Sequence, residues 1–154
     1  MVITGLFLKT LMKNLSRCVA ILSILLIAPA AGLRAETALD GKMDIMKNAF
    51  KELAKSLEQP VPADQKKYLD LISKLHDAAV KSVDLTPAKA DGIPADKRPD
   101  FIQAYQKQMK HTVALIDLLK KDVADSNWAG AQKQIAALKK AQKEGHSDFR
   151  SEDQ

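Results

Sequence analysis

Cysteine is all but missing from this 154-residue chain: the single one, Cys18, lies among the first 35 residues. From Glu36 onward there is no thiol. That excludes a disulfide framework, a Cys-ligated zinc or iron–sulfur site, a thiol nucleophile and a C-x-x-C-H attachment motif. Glycine and proline are scarce, six each, and aromatic residues make up 5%. With Ala, Lys, Leu, Asp and Gln prominent, this composition points to helix rather than sheet. Acidic residues are absent from 1–35, which hold Lys9, Lys13, Arg17 and Arg34. Setting those four apart leaves 20 of the 24 basic residues against all 19 acidic ones, and the formal charge falls from +5 to +1. The isoelectric point near 9.3 therefore belongs to the leader, and no nucleic-acid partner is expected.

Long apolar runs are equally few. The one present, residues 18–33 (CVAILSILLIAPAAGL), is short of the ~20 residues that a membrane-spanning helix usually needs and is interrupted by Pro29. The basic flank before it and the small residues after it read as an export signal. Leu33-Arg34-Ala35 gives a cleavage frame before Glu36, Ala30 offers another, and an uncleaved anchor is the alternative. Cys18 follows Arg17 at the very start of the run, unlike an acylated lipoprotein cysteine, and no twin-Arg pair is present. The expected organisation is 1–35 as a cleaved signal peptide and 36–154 as one periplasmic domain without a membrane span.

In that domain the apolar residues keep a helical period. Leu39, Met43, Met46, Phe50, Leu53 and Leu57 form a first stripe, with Thr37 and Asp40 matching a capping box ahead of it. Pro60 and Pro62 end that helix and start the next, whose stripe is Tyr68, Leu71, Ile72, Leu75, Ala79 and Val83. Residues 85–98, with Pro87, Gly92 and Pro94, form one long loop. A third helix from near Pro99 carries Ile102, Tyr105, Met109, Thr112, Ile116, Leu119 and Val123, and 125–127 breaks it. A fourth, capped by Ser126 or Asn127, points Trp128, Ala131, Ile135, Leu138, Gln142, His146 and Phe149 inward. The class is all-α, an antiparallel up-down-up-down four-helix bundle.

An even number of antiparallel helices puts the start of the first beside the end of the fourth, so Met43 and His146 lie at similar depth. Across axes ~8 to 10 Å apart, a thioether and an imidazole could share a metal. Spacing alone leaves the plainer roles open: Met43 as core filler, His146 as a hydrogen-bonded core residue, Met46 as the competing thioether one turn deeper. His76 and His111 stand among charged and amide residues and read as solvated surface groups. Trp128, at the far end, reads as a packing anchor. Lys139, Lys140, Lys143 and Arg150 read as a solvated face rather than a docking patch. Gly145, costly in a helix, either makes room for a flat ligand or marks a fraying end. No nucleotide-binding Gly loop, serine triad context or internal repeat is present.

The segment LDGKMDIMKNAFKELAKSLE and the closing KEGHSDFR strongly resemble the soluble cytochrome b562 family, over essentially the whole domain. Family members carry a Met soon after the mature N-terminus and a His shortly before an aromatic-x-Arg-like ending, positions held here by Met43 and His146. The resemblance implies one noncovalent b-type haem (iron protoporphyrin IX) per chain, axial Met43 and His146 as its iron ligands, and an electron-transfer role without enzymatic activity. Related bundle cytochromes attach haem through C-x-x-C-H on the last helix. The corresponding frame here, Gln142 to His146, has neither Cys. The loop before the third helix is longer than in the best-known members, and Tyr105 and Met109 stand where larger aromatic packing against haem is common.

The expected product is thus a monomeric periplasmic electron carrier serving redox partner proteins that the sequence does not identify. Two other classes stand beside it: a periplasmic copper-binding protein using Met43, Met46, Met109 and a His, ligands suited to Cu(I), and a haem-free helical stress or chaperone protein.

Overall fold

A computed structural model describes residues 38–151. Residues 1–35, expected to be an export signal, and Thr37, expected in a capping box, lie outside the described residues. Four α-helices account for most of the described chain, with no strand among the described residues: α1 is Ala38–Ser56, α2 Gln65–Ser82, α3 Arg98–Ala124 and α4 Trp128–Phe149. The order of packing is α1 on α2, α2 on α3 and α3 on α4, a four-helix bundle. No comparable backbone approach joins α4 to α1, so the bundle has one open seam.

The stripes form the core as their period requires. Leu53, Ile72, Ile116 and Leu119 are fully buried, each stabilising the bundle by ~1.5 to 3 kcal/mol relative to an exposed side chain. The whole expected α2 stripe, Tyr68 through Val83, is buried. In α4 the expectation holds for Ala131, Ile135 and Leu138 but not for Gln142 and His146, which are exposed. A stripe written on a 3–4 alternation drifts around the helix. At ~100° per residue, Gln142 and His146 fall on the flank of the face that Leu138 and Ala141 bury.

Helix ends leave carbonyls without intrahelical partners, and glutamines from neighbouring helices supply the donors. Gln65 Nε2, at the start of α2, donates to the carbonyls of Val123 (2.7 Å) and Ala124 (3.1 Å) at the end of α3. Gln132 Nε2, in the first turns of α4, donates to Leu57 O (3.0 Å) and Glu58 O (3.3 Å) just past α1. At the opposite end Tyr105 Oη donates to Ser82 O at 2.9 Å. These contacts fix the antiparallel order of the helices.

Residues 85–98 are more ordered than a single loop, because a 3-10 turn, Ala88–Gly92, follows Pro87. Ala90 is fully buried, and Lys89 Nζ donates to Asp148 O at 2.8 Å, tying the turn to the end of α4. The second helix begins similarly, with a 3-10 turn at Pro62–Asp64 preceding α2. Of the two expected caps for α4, Asn127 is the one used: its Oδ1 accepts from Gly130 N at 3.1 Å. Ser126 sits at φ 55° and takes the turn instead.

Candidate functional site

The open seam contains a cleft of about 660 Å³, lined on α1 by Lys47, Phe50, Lys51, Ala54 and Lys55, just past it by Glu58, and on α4 by Lys139 and Gln142. Its floor is the apolar part of that set and its rim is lysine. Met43 lies one turn before Lys47 on α1, and His146 lies one turn after Gln142 on α4. At ~100° per residue the five α1 lining residues centre ~50° from Met43 but ~110° from Met46. By the same measure His146 lies within ~10° of the mean direction of Lys139 and Gln142.

The relative depth of the two candidates follows from Gln132. Its contact with Leu57 and Glu58 pins α4 against α1, and in antiparallel helices each step forward on one matches a step back on the other. Counting from that contact brings His146 level with positions 43 and 44. Met46 is ~4.5 Å away along the axis. Met43 is half-buried and packs against the core, as do Met46 and Phe50.

The last turn of α4 is held from the other side by aromatic packing. Phe149 meets Phe101 at 5.4 Å and Tyr105 at 5.6 Å between ring centroids, both edge-on, a geometry that aromatic pairs favour. His146 is thereby kept on the flank facing α1. Protein packed around its ring lowers the imidazole pKa from the ordinary value, and the Arg150 and Lys47 charges lower it further. The neutral ring, with a nitrogen lone pair available, is the form favoured. The Lys47 charge acts here from α1, across the seam.

The other singled-out residues go elsewhere. Met109 is buried in the core, and Tyr105 is buried with its hydroxyl committed to Ser82. His111 is exposed. His76 is not simply solvated: its Nε2 lies 3.2 Å from Asp117 Oδ1, bridging α2 and α3. Trp128 packs edge-on against Tyr68 at 6.1 Å, at the end of the bundle away from His146. Gly145 lies within α4, which continues to Phe149, so it marks no fraying end. A Cβ there would meet only Gln108 Cγ on α3, at 3.9 Å, so Gly145 makes no room in the cleft either. Among the described residues no group of three or more His, Cys, Asp or Glu is placed to hold a metal ion, and no helix is long and apolar enough to cross a membrane.

Sequence reasoning missed the α1 lysines, read Lys139 only as part of a solvated face, and placed Phe50 on a core stripe rather than in the wall of a cleft. Lys47, Lys51 and Lys55 recur every four residues, a signal of one shared face, but an exposed lysine row has no meaning until the partner helix is known to stand apart.

In comparison with known proteins, residues 38–150 match the family model described as Cytochrome b562. No curated protein and no solved structure matches the chain.

Proposed function

The chain belongs to the cytochrome b562 family, a family of haem-binding electron-transfer proteins, and from that premise we propose that it carries one noncovalent b-type haem in the α1–α4 cleft. The observation that carries this reading is the common level of Met43 and His146 on the one seam of the bundle that the helices leave open.

The residues present fit such a group. Phe50 and Ala54 offer apolar surface to a flat macrocycle, and the lysine rim suits its carboxylate edge. Met43 supplies a thioether and His146 an imidazole biased to its neutral form. When bound, the haem iron supplies one-electron redox chemistry, and a His/Met pair raises its potential. His146 is the stronger donor, kept in place by Phe149. Met43 is the weaker donor, held by its packing on the core. Met43 and His146 would hold the iron together, and the chemistry the group would supply there is one-electron exchange. With no Cys after position 18, attachment is noncovalent.

The leader supports a periplasmic location, with removal of 1–35 before the bundle folds. The redox partners are proteins of that compartment, and a monomer is the working form.

The test is titration of the purified bundle with haemin. One equivalent should bind, acid organic solvent should extract it completely, and reduction should give the sharp paired bands of six-coordinate low-spin haem. No haem uptake, together with tight Cu(I) binding, would replace this reading with the copper one.

A further inference from the structure

Resting on the haem reading, we propose that the basic mouth of the α1–α4 cleft is the docking surface for an acidic one-electron redox protein. Lys47, Lys51 and Lys55 line one side of the cleft, and Lys139 lines the other. Lys143 falls on the same strip of α4 as Lys139 and His146, at intervals of four and three residues, and Arg150 follows just past the helix end. All six are exposed. Among the described residues, none of the six forms an ion pair, although other lysines do: Lys67 with Glu52, and Lys140 with Glu144. Glu58 is the one carboxylate in the cleft lining, against the four lysines Lys47, Lys51, Lys55 and Lys139. At ~100° per residue, Asp40 and Asp44 stand on the same side of α1 as the lysine row, at its N-terminal end.

The concentration of charge is not a property of the whole domain, which is close to neutral once the leader is set aside. Removing this face leaves the rest with an acidic excess. A one-sided positive field around the cleft draws an acidic surface to that mouth and orients it there, with on-rates raised roughly 10- to 1,000-fold at low salt. A protein patch fits better than a bilayer. The exposed large apolar side chains Ile45, Val61, Val80 and Leu118 are all outside the cleft lining, so none is placed to insert into lipid beside the lysines.

The test uses haem-loaded protein and reduced flavodoxin, an acidic flavoprotein, as the probe. In the reaction flavin hydroquinone gives one electron and becomes semiquinone, and ferric haem becomes ferrous. Stopped-flow rates should fall at least ~10-fold as ionic strength rises from ~0.01 to ~0.5 M. The holoprotein of Lys51→Glu/Lys55→Glu/Lys139→Glu/Lys143→Glu should be slow at low salt and lose that dependence. Lys74→Glu/Lys110→Glu/Lys120→Glu, on other faces, should retain it. If the fourfold variant takes up no haem, Lys143→Glu/Arg150→Glu, outside the cleft lining, serves in its place. Failure of the unaltered protein to bind haem would overturn the functional reading itself. Normal haem loading with a salt-independent rate would overturn this inference alone, as would equal slowing by the control variant. Sedimentation with phosphatidylglycerol vesicles at physiological salt, alongside salt-independent flavodoxin reduction, would assign the face to a membrane instead.

Discussion

The side-chain amide of Gln132 donates to the carbonyl oxygen of Leu57 at 3.0 Å, and this contact sets how far α4 is slid along α1. Two functions meet in it: an orphan carbonyl at a helix end gains a donor, and fourteen residues later His146 arrives level with Met43. Gln132→Leu should lower stability by about 0.5 to 1.5 kcal/mol, the net worth of a hydrogen bond of this kind. Urea denaturation should show a lower midpoint with an unchanged slope. An unchanged midpoint would mean that helix packing alone fixes the register.

Gly145 lies within α4, where an added Cβ would meet only Gln108 Cγ. Gly145→Ala should therefore stabilise the apoprotein by up to ~1 kcal/mol, the helix-propensity difference, since contact with Gln108 Cγ at 3.9 Å is ordinary van der Waals distance. A thermal melt reads the gain directly. A loss of stability would show that α4 approaches α3 more closely than this structure has it.

Much of the bundle was legible because burial enforces periodicity: Leu53, Ile72, Ile116 and Leu119 had to fall on inner faces, and they do. The prolines at 60, 62 and 99 marked helix boundaries for reasons of backbone geometry alone. The turn at Ala88–Gly92 was not legible, since what orders it is tertiary: burial of Ala90 and the reach of Lys89 to Asp148. His146 could be picked out as a residue but not placed on its flank, because a stripe counted by threes and fours does not reveal where the core ends and a seam begins. The bridge from His76 to Asp117 pairs residues on two helices, and no spacing within either helix encodes it.

Burial raises the Tyr105 phenol pKa well above its ordinary value of 10.0. The fold thus prefers the protonated phenol, whose hydroxyl bonds Ser82 O. The sign follows from linkage: this contribution is fully present below the unfolded pKa, near 10, and is lost as pH rises from there toward the raised folded value. Apoprotein stability should decline above about pH 10, with a shallower decline in Tyr105→Phe. Equal slopes for the two proteins in urea melts across the alkaline range would refute the assignment.

The account turns on which side chains hold the iron, and the side-by-side behaviour of Met43→Ala, Met46→Ala and His146→Ala holoproteins tests it most directly. His146→Ala should greatly weaken haem uptake. Met43→Ala should bind haem but leave it mostly five-coordinate, at lower potential and quick to take up carbon monoxide once reduced. Met46→Ala should cost ~2 to 5 kcal/mol of packing while the iron stays six-coordinate. The deciding measurement is carbon monoxide binding to the reduced Met43→Ala and Met46→Ala proteins, followed by stopped-flow absorbance. Rapid binding confined to Met43→Ala is the result this account predicts; rapid binding confined to Met46→Ala would contradict it and move the ligand one turn along α1.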